Sequence, residues 1–303
     1  GPLKPNYMME GVAPASSVLQ NVVADIFSPL RDFTICMFDN ILTGAATIDE
    51  LRERTEAVVD ICYKHNVKLN FKKTHLGHTT AKFFGYELYE HGYRIDAQRK
   101  KAIDEIGMPG TGKTPRENRK QMKSFLGFSV YFIPFVENYA KYAAPLHDMT
   151  KDEFNWDPVT WKEDYREHFK VFKTKIAEAM DIIYPDFSLE WCLMTDASDT
   201  ACGWILIQLR PMEDGSVRAE PISVGSQKFS SPAELKWPIN EKEAYALLRG
   251  CQTNHHLLCM KPFLVATDHW NLAHDEKDIK KKLGSYMLEF QRYPIKGILP
   301  LSG

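Results

Sequence analysis

The stretch LEWCLMTDASD, residues 189–199, decides the fold, because an apolar run within it ends on an acidic side chain, Asp196. A second apolar run, in FLVATDHW, ends in the same way at Asp268. Between the two, residues 241–258 place apolar side chains at helical spacing, and Glu243 lies near the start of this stretch. From residue 189 onward the patterns follow the order strand, strand, turn, strand, helix, strand, helix, which predicts a compact α/β module.

Three acidic side chains of this module form a candidate metal site: Asp196, Glu243 and Asp268. Clustered carboxylates repel one another unless a cation lies between them, and such oxygen ligands suit Mg²⁺ or Mn²⁺. Ions of this kind can activate a water molecule against a phosphodiester. Three surface acids beside strand ends would give the same letters, because the chain has 40 Asp and Glu residues. The pattern alone leaves both interpretations open.

Two helices are predicted in the N-terminal part of the chain. Apolar spacing in residues 12–27 predicts a buried amphipathic helix. Its core face is expected to contain Val18, Leu19, Val22, Val23 and Ile26. Further on, Thr47 and Glu50 have the spacing of a capping box and predict the start of a second helix. The core side of that helix is expected to contain Leu51, Thr55, Val58, Val59 and Cys62.

Two hairpins and a helical region complete the pattern. FTICMFDNILTG, residues 33–44, has apolar runs on both sides of Asp39 and Asn40, which should lie at the tip of a hairpin. FFGYELYEHGYRI, residues 83–95, alternates around a His-Gly turn signal and predicts a second hairpin. Helices are then expected over residues 97–106, 115–131 and 158–180, the last with an aromatic stripe typical of a packing seam.

Composition limits where the chain acts and what it contacts. The net charge of −2 means that contact with nucleic acid has to come from local basic faces. The candidates are Lys72 and Lys73 in one segment, and Arg116, Arg119, Lys120 and Lys123 at helical spacing. Six cysteines without CxxC spacing predict free thiols in a reducing compartment, so an intracellular protein of the cytoplasm or nucleus is expected. No apolar run approaches about 18 residues, so no membrane contact is expected.

These segments, in this order, resemble the polymerase and ribonuclease H region of a gypsy-type long-terminal-repeat retrotransposon polyprotein. MFDNILTG is similar to the Tyr-x-Asp-Asp hairpin of the palm, and KLNFKKTHLG with FFGYELYEHG to the segment that ends in the primer grip. KSFLGF and APLHDMTK resemble the thumb, FNWDP and IIYPDFS the link, and TDASD, EKEAYAL and ATDHWNL the ribonuclease H module. The resemblance implies an α+β palm remnant over residues 1–95, a helical thumb and connection over 96–187, and an α/β ribonuclease H-like domain over 188–303.

The same resemblance implies roles for single residues. Asp196, Glu243 and Asp268 would be ligands of Mg²⁺ or Mn²⁺ in a site that cuts the RNA strand of an RNA/DNA hybrid. Asp39 would be a metal ligand of the palm, and Gly11 would lie near an incoming nucleotide.

Contacts with the nucleic acid are implied as well. Phe84, Gly85 and Tyr86 would contact the primer end, and the basic residues named above would lie along the backbone of a hybrid or primer–template. The expected partner is therefore a nucleic-acid duplex that contains RNA.

Departures from the family pattern favour limited chemistry. Asn40 stands where the family has a second aspartate, and the Glu10 carboxylate would repel triphosphate oxygens. By this resemblance the chain starts just before the second palm helix and ends before the last ribonuclease H helix, and a longer precursor, a second chain or a homo-oligomer would complete the sites. Polymerisation by this chain alone is not expected. The alternative is a domesticated or non-catalytic subunit used for partner binding or oligomer assembly.

Two further motifs compete with this interpretation. GMPGTGKT, residues 107–114, matches a phosphate loop, which would make the chain a nucleotide triphosphatase. No apolar strand precedes it, however, and Thr114 and Glu117 explain the same letters as the start of a helix. CQTNHHLLC, residues 251–259, places two cysteines and a histidine on one helix face as a zinc candidate, although a helix packed on the sheet is the simpler interpretation.

Overall fold

The protein is described by a computed structural model that forms two compact units, Gly1–Phe84 and Gly85–Gly303. The described residues are 15–110, 112, 114–161, 164–267 and 281–300 of the 303-residue chain. Among them, no helix combines the length and the apolar character needed to cross a membrane.

The first unit packs two helices against a short hairpin. Its elements are α1 (Ala15–Phe27), β1 (Thr34–Met37), β2 (Asn40–Thr43), α2 (Ile48–Lys64) and β3 (Ala81–Phe83). Thr47 caps α2 by accepting the N–H of Glu50, as the sequence predicts, whereas the Glu50 carboxylate accepts the N–H of Ala46. The buried core consists of Phe27, Leu30, Val58 and Cys62.

The predicted hairpin around Asp39 forms, but its turn lies one residue earlier than expected. Met37 pairs with Asn40, so Asn40 belongs to β2 and the turn consists of Phe38 and Asp39. Phe38 adopts a left-handed conformation with φ of 53°. Gln20 of α1 holds this turn, because its side chain accepts the N–H of Phe38 at 2.7 Å and donates to the Cys36 carbonyl at 3.2 Å.

The predicted buried face of α1 is wrong for three of its five residues. Val18, Leu19 and Val22 are 41%, 47% and 48% exposed. Val23 and Ile26 contact the core, and Phe27 belongs to it, because the core of this unit lies against the last turns of the helix. Val59 of α2 is likewise 46% exposed rather than buried.

The second unit combines a helical region with two sheets. Its helices are α3 (Ala97–Glu105), α4 (Pro115–Ser129), α5 (Tyr139–Asp148), α6 (Tyr165–Ala177), α7 (Pro232–Leu235), α8 (Ile239–Thr253), α9 (His255–Leu258) and α10 (Lys281–Phe290). Its strands are β4 (Tyr86–Tyr89), β5 (Gly92–Ile95), β6 (Ile182–Ile183), β7 (Glu190–Ala197), β8 (Ala201–Pro211), β9 (Val217–Lys228), β10 (Phe263–Thr267) and β11 (Ile295–Pro300).

The second predicted hairpin, β4 and β5, continues into β6. Tyr86 pairs with Ile95 across the hairpin, and Gly92 pairs with Ile183. This hairpin therefore lies in the second compact unit, whereas the sequence assigned it to a first module that ends at residue 95. The hairpin belongs to the second unit because β5 is hydrogen-bonded to β6, a strand that is distant in sequence. The division into palm, thumb and ribonuclease H domain stays a prediction.

The helical region between the two sheets has an aromatic core. The seam predicted in residues 158–180 forms, although the helix is shorter than expected: Asp164 caps α6 by accepting the N–H groups of Arg166 and Glu167, and Trp161 lies before the helix. The cap of α4 is the predicted box of Thr114 and Glu117. The large buried side chains of this core include Phe125, Phe132, Phe135, Phe169, Phe172 and Ile176.

The larger sheet has five strands in the order β11, β10, β7, β8, β9. Strands β7, β8 and β9 are antiparallel neighbours, while β10 runs parallel to β7 and β11 parallel to β10. Helix α8 packs closely on this sheet: a Cβ added to Gly250 of the helix would lie only 3.2 Å from the Leu193 side chain of β7. The mixed strand order and the covering helix match the predicted α/β module.

A buried ion pair lies at the end of this sheet opposite to Asp196. Glu220 of β9 is 7% exposed and Gln208 of β8 is fully buried. The Glu220 carboxylate accepts hydrogen bonds from Gln208 at 2.8 Å and, through both oxygens, from Arg210 at 3.0 Å. Burial by itself raises the pKa of Glu220, but the hydrogen bonds from Arg210 and Gln208 outweigh it, so the pKa lies below its usual value.

This lowered pKa predicts that Glu220 makes folding stability depend on pH. Its contribution is fully present above the ordinary carboxyl pKa and is lost as the pH falls through the lower folded pKa. We expect Glu220→Gln to make the urea midpoint depend less on pH between about pH 6 and about pH 3. Glu213→Gln, at an exposed turn position, is the matched control and should keep the dependence of the parent chain. Equal curves for the parent and Glu220→Gln would contradict the prediction.

Candidate functional site

Asp196 lies at the C-terminal end of β7, the central strand of the five-stranded sheet. Asp196 is the penultimate residue of the strand and pairs with Gly203 of β8. Its side chain is exposed. The turn that follows is tightly hydrogen-bonded, because the Ser198 hydroxyl accepts the N–H of Ala201 at 3.1 Å and donates to its carbonyl at 3.0 Å. A short turn of this kind fixes where the Asp196 backbone lies.

Glu243 brings a second carboxylate to the same strand end. It lies in the first half of α8 and is 1% exposed. Its Oε1 accepts the backbone N–H of Ala197 at 2.9 Å, and Ala197 directly follows Asp196 in β7. The packing of α8 on the sheet therefore places Glu243 at the end of β7 that carries Asp196.

Lys242 holds the same turn and was missed by the sequence analysis. Its side chain is 3% exposed, and its Nζ donates to the carbonyl of Asp199 at 3.0 Å and lies 3.3 Å from the Asp199 carboxylate. The ammonium also lies 5.7 Å from the centre of the Phe229 ring. Consecutive residues of α8 thus bind the loop between β7 and β8, one through a cation and one through a carboxylate. The letters EKEAY carry no signal for this, because a lysine in an amphipathic helix usually faces solvent.

The third predicted acid, Asp268, lies outside the described residues. Strand β10, which it follows in sequence, pairs with β7 in parallel, and Ala266 is opposite Met194. Each of these two paired residues precedes a predicted ligand by two positions. Among the described residues, no group of three His, Cys, Asp or Glu side chains could hold a metal ion. The three-acid site therefore stays a prediction, of which the structure describes two members.

The two described acids have the donor chemistry that a hard divalent cation requires. Both are carboxylates, and no thiolate or imidazole belongs to the pair. Asp196 is exposed at the strand end, whereas Glu243 is held in place by the Ala197 N–H. The residues present thus fit Mg²⁺ or Mn²⁺ and not a softer metal.

The predicted polymerase residues are placed in part. Asp39 is exposed in the turn of the first hairpin, and the Asn40 amide lies 3.4 Å from its carboxylate as a hydrogen-bond donor. An amide at this position adds no negative charge, as the sequence analysis anticipates. Glu10 and Gly11 lie outside the described residues.

The predicted nucleic-acid contacts differ in how accessible they are. Lys72 and Lys73 are exposed in the first unit, and Arg116, Lys120 and Lys123 are exposed on α4.

Arg119 is less available than the sequence predicts, because its guanidinium forms an ion pair with Asp152.

The residues predicted to contact a primer end lie at a turn before β4. Phe84 and Gly85 both have positive φ, 51° and 83°, and Tyr86 starts β4.

The competing motifs do not gain support from the structure. Helix α3, and no strand, precedes the Gly107 loop, and the Gly112 N–H donates to the Asn118 side chain at 2.7 Å. Lys113 lies outside the described residues. In the histidine-rich segment, burial raises the pKa of the Cys251 thiol to about 12, which opposes the thiolate that zinc requires.

Part of the chain is similar to a known protein family. Residues 186–293 match a family model described as the RNase H-like domain found in reverse transcriptase. The chain is 27% identical over 289 residues to the retrovirus-related Pol polyprotein from transposon 297 of Drosophila melanogaster, covering 94% of this chain and 26% of that protein. It is 25% identical over 293 residues to the transposon Tf2-7 polyprotein of Schizosaccharomyces pombe, covering 94% and 21%. The chain thus spans about a quarter of the length of these relatives.

Solved structures share the fold at lower identity. The foamy viral protease-reverse transcriptase in complex with RNA/DNA hybrid has a TM-score of 0.71 at 17% identity, over 98% of this chain and 39% of that one. The same viral protein in complex with dsDNA has a TM-score of 0.73 at 17% identity, over 98% and 60%. The chain thus has the mixed α/β fold of these solved structures, and its residues 186–293 resemble the RNase H-like domain found in reverse transcriptase.

Proposed function

We propose that this chain belongs to a gypsy-type retroelement reverse transcriptase/ribonuclease H, binds an RNA/DNA hybrid and cuts its RNA strand at the end of β7. The observation that carries the proposal is the hydrogen bond from Ala197 to Glu243, which brings a second carboxylate to the strand end that carries Asp196. The ribonuclease H-like match over residues 186–293 and the fold shared with an enzyme solved on RNA/DNA hybrid support it.

In this proposal the carboxylates position the reactants. Asp196 supplies an accessible oxygen ligand, and Glu243 supplies one whose orientation is fixed by the backbone. Asp268 is proposed as the third ligand. Bound Mg²⁺ or Mn²⁺ would lower the pKa of a water molecule and stabilise the leaving oxygen of the phosphodiester. The protein itself contributes the turn after β7, which Lys242 and Ser198 hold, so that the Asp196 carboxylate stays at the end of this strand.

The proposal excludes polymerisation by this chain alone. Asp39 has an amide, Asn40, as its neighbour in the hairpin, so the predicted palm site has one carboxylate fewer than the family pattern. A charge deficit of this kind weakens the attraction for a divalent cation. We assign residues 1–95 to a palm remnant, 96–187 to a thumb and connection, and 188–303 to the ribonuclease H-like domain.

The test of this proposal is the incubation of the chain with an RNA/DNA hybrid labelled on the RNA strand. Shortening of the RNA in Mg²⁺ or Mn²⁺, and none in EDTA, is the expected result. The same label on duplex DNA is the control and should stay intact. Anisotropy measured in EDTA reports hybrid binding separately from cutting. A chain that binds the hybrid in EDTA and leaves its RNA intact with both metals would contradict the catalytic part of the proposal.

The exposed apolar side chains of α1 favour a second candidate, a non-catalytic subunit that self-associates. Val18, Leu19 and Val22 lie on one side of the helix, each more than two-fifths exposed, where the sequence predicts burial. A non-catalytic subunit of this kind would be a dimer by sedimentation velocity at micromolar concentration, and Val22→Glu would make it monomeric. A monomeric parent chain would remove this candidate.

A further inference from the structure

The guanidinium of Arg99 lies directly over Gly85. A Cβ added to Gly85 would lie 1.8 Å from Arg99 Nε and 2.4 Å from its Cζ. Gly85 also has φ of 83°, a conformation that other residues rarely adopt. The backbone angle thus favours glycine at this position, and the Arg99 guanidinium occupies the space that a side chain would fill.

The ring of Tyr131 holds the other side of the Arg99 guanidinium. Arg99 Cζ lies 4.0 Å from the centre of the Tyr131 ring, which is the geometry of a cation–π contact. The tyrosine itself is 39% exposed, so the stacked pair lies at the surface. A stack of this kind uses the face of the guanidinium and leaves N–H groups in its plane available for hydrogen bonds to an anion.

Among the described residues, no carboxylate pairs with Arg99, whereas the cations near it in sequence have other contacts. Arg94 pairs with Glu87 at 2.9 Å. Lys100 donates to the carbonyl of Ala179 at 3.2 Å, and Lys101 pairs with a glutamate of its own helix, 3.8 Å away. Arg99 therefore has neither a carboxylate partner, as Arg94 and Lys101 have, nor a carbonyl acceptor among the described residues, as Lys100 has.

We propose that Arg99 binds a backbone phosphate of the nucleic-acid duplex and that Tyr131 positions its guanidinium. The inference rests on the proposed function, which supplies the duplex, and it adds a phosphate contact beside the Gly85 turn. A guanidinium held by a ring loses little side-chain entropy when it binds, and its planar fork matches two phosphate oxygens. We favour a phosphate over a carboxylate as the ligand because the exposed Tyr131 ring lies beside the guanidinium and can contact a sugar or base. An acidic peptide has neither group.

The experiment compares Arg99→Gln with Lys101→Gln, which removes the same charge from the same helix. Binding of the full chain to an RNA/DNA hybrid is followed by anisotropy in EDTA over a series of salt concentrations. Loss of one phosphate contact should make the negative slope of log K against log salt less steep by about 0.9. Arg99→Gln is expected to show this change and to bind about 3- to 10-fold more weakly at low salt, while Lys101→Gln keeps the slope of the parent.

Two further variants separate charge from position. Arg99→Lys keeps the charge but loses the planar fork, so it should keep the salt slope and recover part of the affinity. Tyr131→Phe keeps the ring and should bind as the parent does, whereas Tyr131→Leu should weaken binding without changing the thermal midpoint.

The outcomes distinguish this inference from the function on which it rests. A parent chain that does not bind the hybrid would overturn both. A parent chain that binds, with Arg99→Gln and Lys101→Gln giving the same slope, would overturn the Arg99 site alone. If Arg99→Gln lowers the thermal midpoint, Arg99→Lys decides. The salt slope of the parent with part of its affinity keeps the inference, and the weaker salt dependence of Arg99→Gln overturns it.

Discussion

Replacing Asp196 with Asn is expected to lower the rate of metal-dependent RNA cutting by at least about 100-fold, the scale of losing one group that stabilises charge in a transition state. The substitution keeps the size of the side chain and removes its negative charge. Because Asp196 is exposed, folding stability should change by no more than about 0.5 kcal/mol. The loss of rate would therefore report the chemistry of the site and not the loss of the fold.

Asp199→Asn is the matched control for this prediction. Asp199 lies in the same turn, is almost fully exposed, and its carboxylate contacts the Lys242 ammonium at 3.3 Å. The Asp199 carbonyl also accepts from Lys242, so the turn keeps a link to α8 when the carboxylate is neutralised. We expect this variant to cut RNA at close to the rate of the parent chain. Equal loss in the two variants would show that the effect is not specific to Asp196, and no loss in either would show that RNA cutting does not depend on the Asp196 carboxylate.

Local signals in the sequence predicted most of the secondary structure of the second unit. The apolar run that ends at Asp196 formed β7, in which Trp191, Cys192 and Leu193 are buried in succession, and the helical spacing around Glu243 formed α8. The Thr114 cap was predictable as well, because its hydrogen-bond partner Glu117 lies only three residues away in sequence. Signals of this kind need no knowledge of distant contacts.

Contacts between distant residues were outside the reach of such signals. The first hairpin turns at Phe38, a residue without turn propensity, because Gln20 of α1 binds its backbone. The exposure of Val22 depends on how far the core of the first unit extends along α1, which spacing cannot reveal. Arg99 lies 14 positions after Gly85 in sequence, and only the packing of α3 brings it over that turn.

The candidate site shows the same division. Sequence order placed Asp196 and Glu243 in a strand and a helix, and the resemblance to retroelement proteins supplied the expectation that they meet. Their approach rests on a hydrogen bond to the Ala197 backbone, which no pattern of letters encodes. Lys242 was missed for a related reason, because its burial depends on the position of the loop between β7 and β8. Geometry at strand ends is therefore the part of such a site that requires coordinates.

Gly92→Ala is expected to lower the free energy of unfolding by about 3 kcal/mol. A Cβ at this position would lie 2.0 Å from the carbonyl oxygen of Ile182 and 3.0 Å from the Ile183 Cα. Both are backbone atoms of β6, so no side-chain rotation relieves the clash. Ile182 is 1% exposed in the aromatic core, and β6 can move away only by opening that core.

The same substitution at Gly127 gives a control of opposite sign. Gly127 lies in α4, and nothing lies within 4 Å of a Cβ added there. Alanine is favoured over glycine in a helix by about 0.5–1 kcal/mol, so Gly127→Ala should raise the urea midpoint while Gly92→Ala lowers it. Both variants add one methyl group, and the difference between them isolates the approach of β6 to β5. A Gly92→Ala chain with the midpoint of the parent would show that these two strands do not pack this closely.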